Sequence, residues 1–276
     1  MSSVIERVFC ARPDINVLLD IDHGLVVNSP MSHDAPAPSS DIAVLLLHGF
    51  GGCRAGVQPW ADALAEHGYV TRVPLLPGHG TSWQDVARTT WKDWYGAALA
   101  EFDSLKAQHR HVFIGGLSLG GSLAMRTAAD RGSAVAGVLL VNPAADLSGP
   151  KDWMIPVLKH LIPSVAAVHD IKKPGASENS YDRTSVKAGH SAIKAMKPLV
   201  RDLPRLTAPL LYFRSVDDHI IPDLSHELVM ANVGSEDKQL RLLEDSYHVA
   251  TLDFDAPIIF EESAEFIGRV TATCAS

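Results

Sequence analysis

The chain reads as a doubly wound, mostly parallel α/β sheet carrying a small helical insertion. Three features lead there. Short, largely apolar runs recur at Ile42–Leu47, 69–73, 111–115, 135–141 and 210–214, and strands apolar on both faces belong to sheets covered by helices on both sides. Amphipathic helical patterns separate the runs, giving strand, helix, strand in repetition. Glycine-rich turns end several runs, where α/β proteins gather ligand-binding residues.

Taken in order, residues 15–28 suggest one or two weak strands and the Pro/Ser-rich stretch 29–40 an exposed loop. Regular structure begins with Ile42–Leu47, which ends at His48-Gly49. Trp60, Leu64 and His67 mark a first crossover helix after it; Trp91, Trp94, Tyr95, Ala98, Phe102 and Leu105 mark a second after the run 69–73. A third helix opens at the Ser118 turn and runs to about Arg131, where Gly132 can end it. The runs 210–214 and 240–243 follow. A last helix starts near Asp255-Ala256-Pro257, with an acidic cap and proline in its first turn, and carries Ile258, Ile259, Phe266, Ile267 and Val270.

Residues 146–198 break this rhythm. They hold no convincing buried strand but do hold Trp153, Met154, Ile155, Leu158 and Leu161, a Lys172-Lys173-Pro174-Gly175 turn and an amphipathic stretch at 185–196. At about 50 residues the segment exceeds an ordinary connection. It reads as a lid inserted into a core formed by 1–145 and 199–276.

The length of 276 residues suits one large domain with such an insertion. Hydrophobic residues at 46% and charged residues at 20% exclude a disordered or fibrous chain. A net charge of −8 offers no general attraction to nucleic acid or anionic lipid. Cys10, Cys53 and Cys274 form neither a disulfide framework nor a C-x-x-C pair, no apolar run approaches a membrane span, and Met1–Arg12 lacks the apolar stretch of a signal peptide. The expectation is a cytoplasmic protein.

The sharpest motif is Gly116-Leu117-Ser118-Leu119-Gly120, flanked by Gly115 and Gly121, directly after one run and opening a helix. A serine at such a turn needs small neighbours, because side chains two residues before and after it would strike backbone. The helix then aims its first amides, Leu119 N–H foremost, at an oxyanion forming beside Ser118. The lysine of a phosphate-binding loop is missing. A serine nucleophile also needs a base held by an acid. A carboxylate, Asp217 or Asp218, follows the run 210–214, and His248 lies between 240–243 and the last helix. His219 stands too close to that acid, and His226 falls on the helix expected after Pro222. A second oxyanion amide is expected from His48-Gly49-Phe50-Gly51-Gly52, with Phe50 as donor. His79 is expected to fix its loop. No cluster has metal-ligand spacing, and no cofactor is required.

Leu47-His48-Gly49-Phe50, Leu76-Pro77-Gly78-His79-Gly80, the serine turn, Asp218-His219-Ile220-Ile221-Pro222 and Ser246-Tyr247-His248-Val249-Ala250-Thr251-Leu252-Asp253 together resemble the α/β-hydrolase family of bacterial monoacylglycerol lipases and small carboxylesterases, from about Ala43 to Phe266. The resemblance implies a Ser118, Asp218, His248 triad, Phe50 and Leu119 as oxyanion amides, and a cap over a tunnel for one acyl chain. Within the cap, Trp153 and Ile155 suit an acyl tail, and alignment on Tyr181 makes Glu178 the residue that meets the glycerol end. The expected activity is ester hydrolysis, most simply of monoacylglycerols, with transient contact to a lipid surface. Short-chain esterase, acyltransferase and thioesterase chemistry use the same triad, and a non-catalytic receptor could share the fold.

Overall fold

The computed structural model describes residues 41–147 and 161–273, so the weak strands and loop read at 15–40 lie outside the described residues. In chain order the strands are β1 (Ile42–Leu47), β2 (Val70–Arg72), β3 (His111–Leu117), β4 (Gly137–Val141), β5 (Ser164–Ala166), β6 (Arg183–Ser185), β7 (Leu210–Ser215) and β8 (Lys238–Leu243). The helices are α1 (Gln58–Glu66), α2 (Trp83–Val86), α3 (Trp91–Lys106), α4 (Leu119–Arg131), α5 (Val186–Asp202), α6 (Asp223–Asn232) and α7 (Ala256–Thr273).

A six-stranded sheet runs β2-β1-β3-β4-β7-β8, and every neighbouring pair in it is parallel. Side chains alternate along β1. Ala43, Leu45 and Leu47 enter one core cluster with Trp94, Phe102, Leu123 and Met196 from α3, α4 and α5. Val44 and Leu46 enter another with Trp60, Leu64, Ile259 and Ile267 from α1 and α7. Both faces of the strand are therefore buried, which is why the run is continuously apolar. Across the second cluster, Trp60 Nε1 donates to Ser263 Oγ at 3.1 Å, satisfying the indole inside the core.

The edge strand β8 behaves differently: it is exposed at every position before Leu243. Lys238 and Arg241 on it discourage pairing with another chain.

The described residues of the insertion include the helix expected from the amphipathic stretch 185–196 and add to it a short ribbon that the sequence did not suggest. The ribbon is antiparallel, with Ser164 opposite Ser185 and Ala166 opposite Arg183. Three-residue strands with exposed Val165 and Ala166 leave no alternation to read. Helix α5 runs unbroken through Pro198 and buries Ala188, Ala192, Met196 and Leu199 in the first cluster.

The chain leaves β1 for β2 on one side, then crosses back to β3 on the other. Such a switch opens a crevice at the carboxyl ends of β1 and β3. Leu47 and Gly116 are register partners there, so the loops after them emerge side by side.

Candidate active site

Ser118 joins β3 to α4 with φ 54° and ψ −116°. Left-handed backbone strains a residue with a Cβ and persists only where its surroundings enforce it. Those surroundings are close. A Cβ on Gly116 would lie 2.4 Å from the Gly120 carbonyl carbon, and one on Gly120 would lie 2.0 Å from Leu47 O. Ser118 N–H donates to Val141 O at 3.0 Å, while its carbonyl accepts from Ser122 N–H at 3.1 Å and Ala144 N–H at 3.3 Å. The turn is locked to β4 and to the loop after it.

Asp218 and His248 come together as their strands end. Asp218 Oδ2 accepts from His248 Nδ1 at 2.9 Å and from Arg214 Nη1 at 2.9 Å. Its Oδ1 accepts from Ile220 N–H at 2.8 Å and Ile221 N–H at 2.9 Å. Burial alone would raise its pKa. The His248 hydrogen bond and charge, with the two backbone amides, outweigh burial and hold the carboxyl below its usual range. In the neutral ring, donation of Nδ1–H to Asp218 leaves the lone pair on Nε2. Asp217 is exposed, so of the adjacent carboxylates Asp218 meets the imidazole. His226 lies on α6, and His219 Nδ1 turns instead to Asp170.

The loop after β1 lies against the serine turn: a Cβ on Gly49 would stand 3.7 Å from Ser118 Cβ. This brings the Phe50 segment beside Leu119, whose N–H, first in α4, has no acceptor within the helix. The Phe50 ring packs edge-on against Trp94 at 5.5 Å and His79 at 6.1 Å between centroids. His48 ties this loop to the next, with Nδ1 donating to Gly49 O at 2.9 Å and Nε2 accepting from Leu76 N–H at 3.1 Å. Both bonds are made by the neutral ring, and burial first, then the neighbouring His79, lowers its pKa to about 3. Burial likewise lowers His79 to about 4, against its hydrogen bonds to Pro77 and Leu76.

From the insertion, Glu178 reaches the same crevice. Its Oε2 is 3.1 Å from where a Cβ on Gly52 would be and 3.5 Å from one on Gly56. Burial raises its pKa, while the charge of His248 and the Ser180 hydroxyl oppose that rise. Tyr181 anchors the segment: its hydroxyl accepts from Thr81 N–H at 2.8 Å, and its own N–H donates to Gly51 O at 3.3 Å. Trp153, Ile155 and Leu158 lie outside the described residues. Leu161 is 74% exposed and faces solvent. Among the described residues no group of three or more His, Cys, Asp or Glu side chains could hold a metal.

Several supporting residues escaped the sequence reading. Asn142, buried at φ 43°, donates to His248 O at 2.8 Å and Ser215 Oγ at 2.9 Å and accepts from Ser215 N–H at 2.9 Å. Its signal was a polar residue tolerant of left-handed backbone directly after a buried strand. Arg214 was visible as a charge within an apolar run. Asp253 Oδ2 accepts from Tyr247 N–H at 3.0 Å and Lys172 N–H at 2.6 Å. Asp170 carried no local signal at all.

A parallel sheet that turns through a strained serine into a helix, and later delivers a buried acid to a histidine, is the architecture of the α/β hydrolases. The chain belongs to the Hydrolase_4 family, described as serine aminopeptidase, S33, whose model matches residues 38–255. It is 33% identical over 235 residues to the thermostable monoacylglycerol lipase of Bacillus sp. (strain H-257), covering 84% of this chain and 93% of that one. It is 26% identical to the carboxylesterase of Bacillus subtilis (strain 168), over 83% and 94% of the two chains. A solved structure from the pair of metagenome-derived lipolytic enzymes LipS and LipT superposes with a TM-score of 0.80 at 34% identity, covering 83% of this chain and 94% of that one.

Proposed function

We propose that this protein is a serine ester hydrolase that cleaves monoacylglycerols to fatty acid and glycerol through an acyl-enzyme. Ser118 Oγ attacks the ester carbonyl as His248 Nε2 takes its proton, and Asp218 stabilises the imidazolium. The amides of Phe50 and Leu119 receive the developing oxyanion. His248 returns the proton to the departing glycerol oxygen, and water then releases the fatty acid by the same route.

The observation that carries the choice of ester is Glu178. Glu178 is partly buried, with its carboxylate against Gly52 and within the electrostatic reach of His248, a placement suited to accepting hydrogen bonds from an alcohol's free hydroxyls. The 33% identity to a monoacylglycerol lipase supports the same reading. On this proposal the core is 1–145 and 199–276 and the cap is 146–198, with the α5 residues inside that range packed on the core cluster, and Trp153 and Ile155 contribute to the acyl end. The enzyme takes esters with one acyl chain, touches lipid surfaces transiently, requires no metal or organic cofactor, binds no nucleic acid and works in the cytoplasm. No helix among the described residues is long and apolar enough to cross a membrane.

The test is a panel of monoacylglycerols, matched alkyl esters, triacylglycerols, acyl thioesters and amino-acid anilides. Monoacylglycerols are expected to give the highest kcat/KM. Glu178→Ala is expected to lower the ratio of glyceryl to alkyl ester hydrolysis by about tenfold, because the lost acceptor acts only where a hydroxyl is present. An unchanged ratio removes Glu178 from the site, and efficient triacylglycerol or anilide hydrolysis removes the monoacylglycerol reading.

A further inference from the structure

We propose that Asp170, a carboxylate carried by the insertion, is a positioning residue that sets the Asp218–His248 pair; the inference rests on the serine-hydrolase reading above. Asp170 is 7% exposed. Its Oδ2 accepts from the backbone N–H of His219 at 3.1 Å and from that of His248 at 3.1 Å. His219 directly follows the acid, and His248 is the base. One oxygen thus spans the loops that descend from β7 and β8. The other oxygen lies 2.8 Å from His219 Nδ1, and Asp170 O accepts from Val249 N–H at 3.1 Å.

The hold on His248 has two sides. Asp170 takes its N–H, and Asn142, at the end of β4, donates to its carbonyl at 2.8 Å. The His248 backbone is therefore fixed on both sides of its Cα, between the insertion and the sheet. The clasp is also reciprocal: Asp253, from the histidine's own loop, accepts from Lys172 N–H at 2.6 Å and Lys173 N–H at 2.9 Å. Each segment supplies a carboxylate to the other's backbone. Removing Asp170 leaves two loop amides without their acceptor, and one as buried as that of His248 moves until it finds another. Displacement of a base by about 1 Å lowers turnover on the order of a hundredfold.

The experiment uses the full chain and begins with a fluorophosphonate probe of the serine. Failure of wild-type Ser118 to be labelled overturns the serine-hydrolase reading itself. With labelling established, Asp170→Leu is expected to lose about ten- to a hundredfold in kcat with KM within about twofold. Asp170→Asn keeps an acceptor for both amides and is expected to retain kcat within about fivefold. His219→Ala, which leaves both backbone bonds in place, is expected to change kcat by no more than about threefold. Where Asp218 has already been replaced by asparagine, adding Asp170→Leu is expected to have little further effect, because the two act as one unit. The low-field proton resonance of the His248–Asp218 hydrogen bond is expected to survive in Asp170→Asn and broaden in Asp170→Leu. If the leucine variant does not fold, Asp170→Ser, too short to reach both amides, takes its place. Unchanged kcat in a folded variant lacking the acceptor, equal losses with asparagine and leucine, or the same loss on the Asp218→Asn background overturns the proposal while leaving the hydrolase reading intact.

Discussion

Arg214 and His248 share one oxygen of Asp218: the guanidinium Nη1 and the imidazole Nδ1 each lie 2.9 Å from Oδ2. The Asp218 side chain is fully buried and that of Arg214 is 4% exposed. Oδ1 is occupied by the Ile220 and Ile221 amides, so the carboxylate is gripped on both oxygens. A second Arg214 nitrogen donates to Ile221 O at 2.9 Å, closing the turn that carries the acid.

This arrangement separates neighbouring carboxylates. Asp218→Asn is expected to lower kcat by about four powers of ten, since the amide cannot hold the imidazole in the required tautomer. Asp217→Asn, at an exposed position, is expected to stay within a few-fold. Steady-state kinetics on one ester decide the matter, and equal losses would show that Asp217 shares the role.

Arg214→Met is expected to destabilise the fold by about 3 kcal/mol, because it removes charge-assisted hydrogen bonds inside the protein and leaves Ile221 O without its donor. Urea unfolding monitored by tryptophan fluorescence measures this. A change below about 1 kcal/mol would mean that His248 and the two amides hold Asp218 unaided.

Backbone strain at Ser118 predicts an unusual ordering. Ser118→Ala and Ser118→Gly are both expected to abolish ester turnover, but the glycine variant is expected to be the more stable by about 1 kcal/mol. Alanine keeps the Cβ that φ 54° disfavours, and glycine does not. Thermal midpoints compared side by side supply the check; an alanine variant more stable than the glycine variant would argue against stored strain at the turn.

Gly120→Ala is expected to unfold the protein or destabilise it by more than about 4 kcal/mol, since its new methyl would sit 2.0 Å from Leu47 O and 2.8 Å from His48 O. Both are backbone atoms of β1 and the loop after it, which no rotamer change can move aside. Wild-type yield and melting temperature in this variant would contradict the close approach of α4 to β1.

Acid stability follows from the buried histidines. Burial lowers His48 from 6.5 to about 3 and His79 from 6.5 to about 4. Between those values and 6.5 the unfolded chain takes up protons that the folded chain refuses. Their contribution to stability is therefore complete above about pH 6.5 and is lost as pH falls toward the folded values, by up to about 1.4 kcal/mol per pH unit for each ring. His79→Phe, which keeps an aromatic ring against Phe50 and Trp94, is expected to flatten that decline. Urea unfolding at several pH values from 7.5 to 4.5 measures both slopes; parallel slopes in variant and wild type would exclude His79 as a contributor.

Much of the fold and half of the site were legible in the residues because their causes are local. A strand buried on both faces must be apolar throughout, as β1 is, and a turn that admits no side chain must be glycine, as Gly116 and Gly120 are. Ser118 and His248 could be read for that reason, and so could the helices whose apolar side chains share one face. The choice between Asp217 and Asp218 was open until a family motif selected one and the geometry showed Asp218 facing the imidazole. Neither the exposure of β8 nor the burial of α5 in the core was written locally, since each depends on what packs beside it. Asp170 and Asn142 were hidden for the same physical reason. Their partners lie 78 and 106 residues away at His248. A hydrogen bond between distant segments imposes no pattern on the residues around either end: any aspartate is an acceptor and any asparagine a donor. Tertiary structure alone decided which of them hold the base.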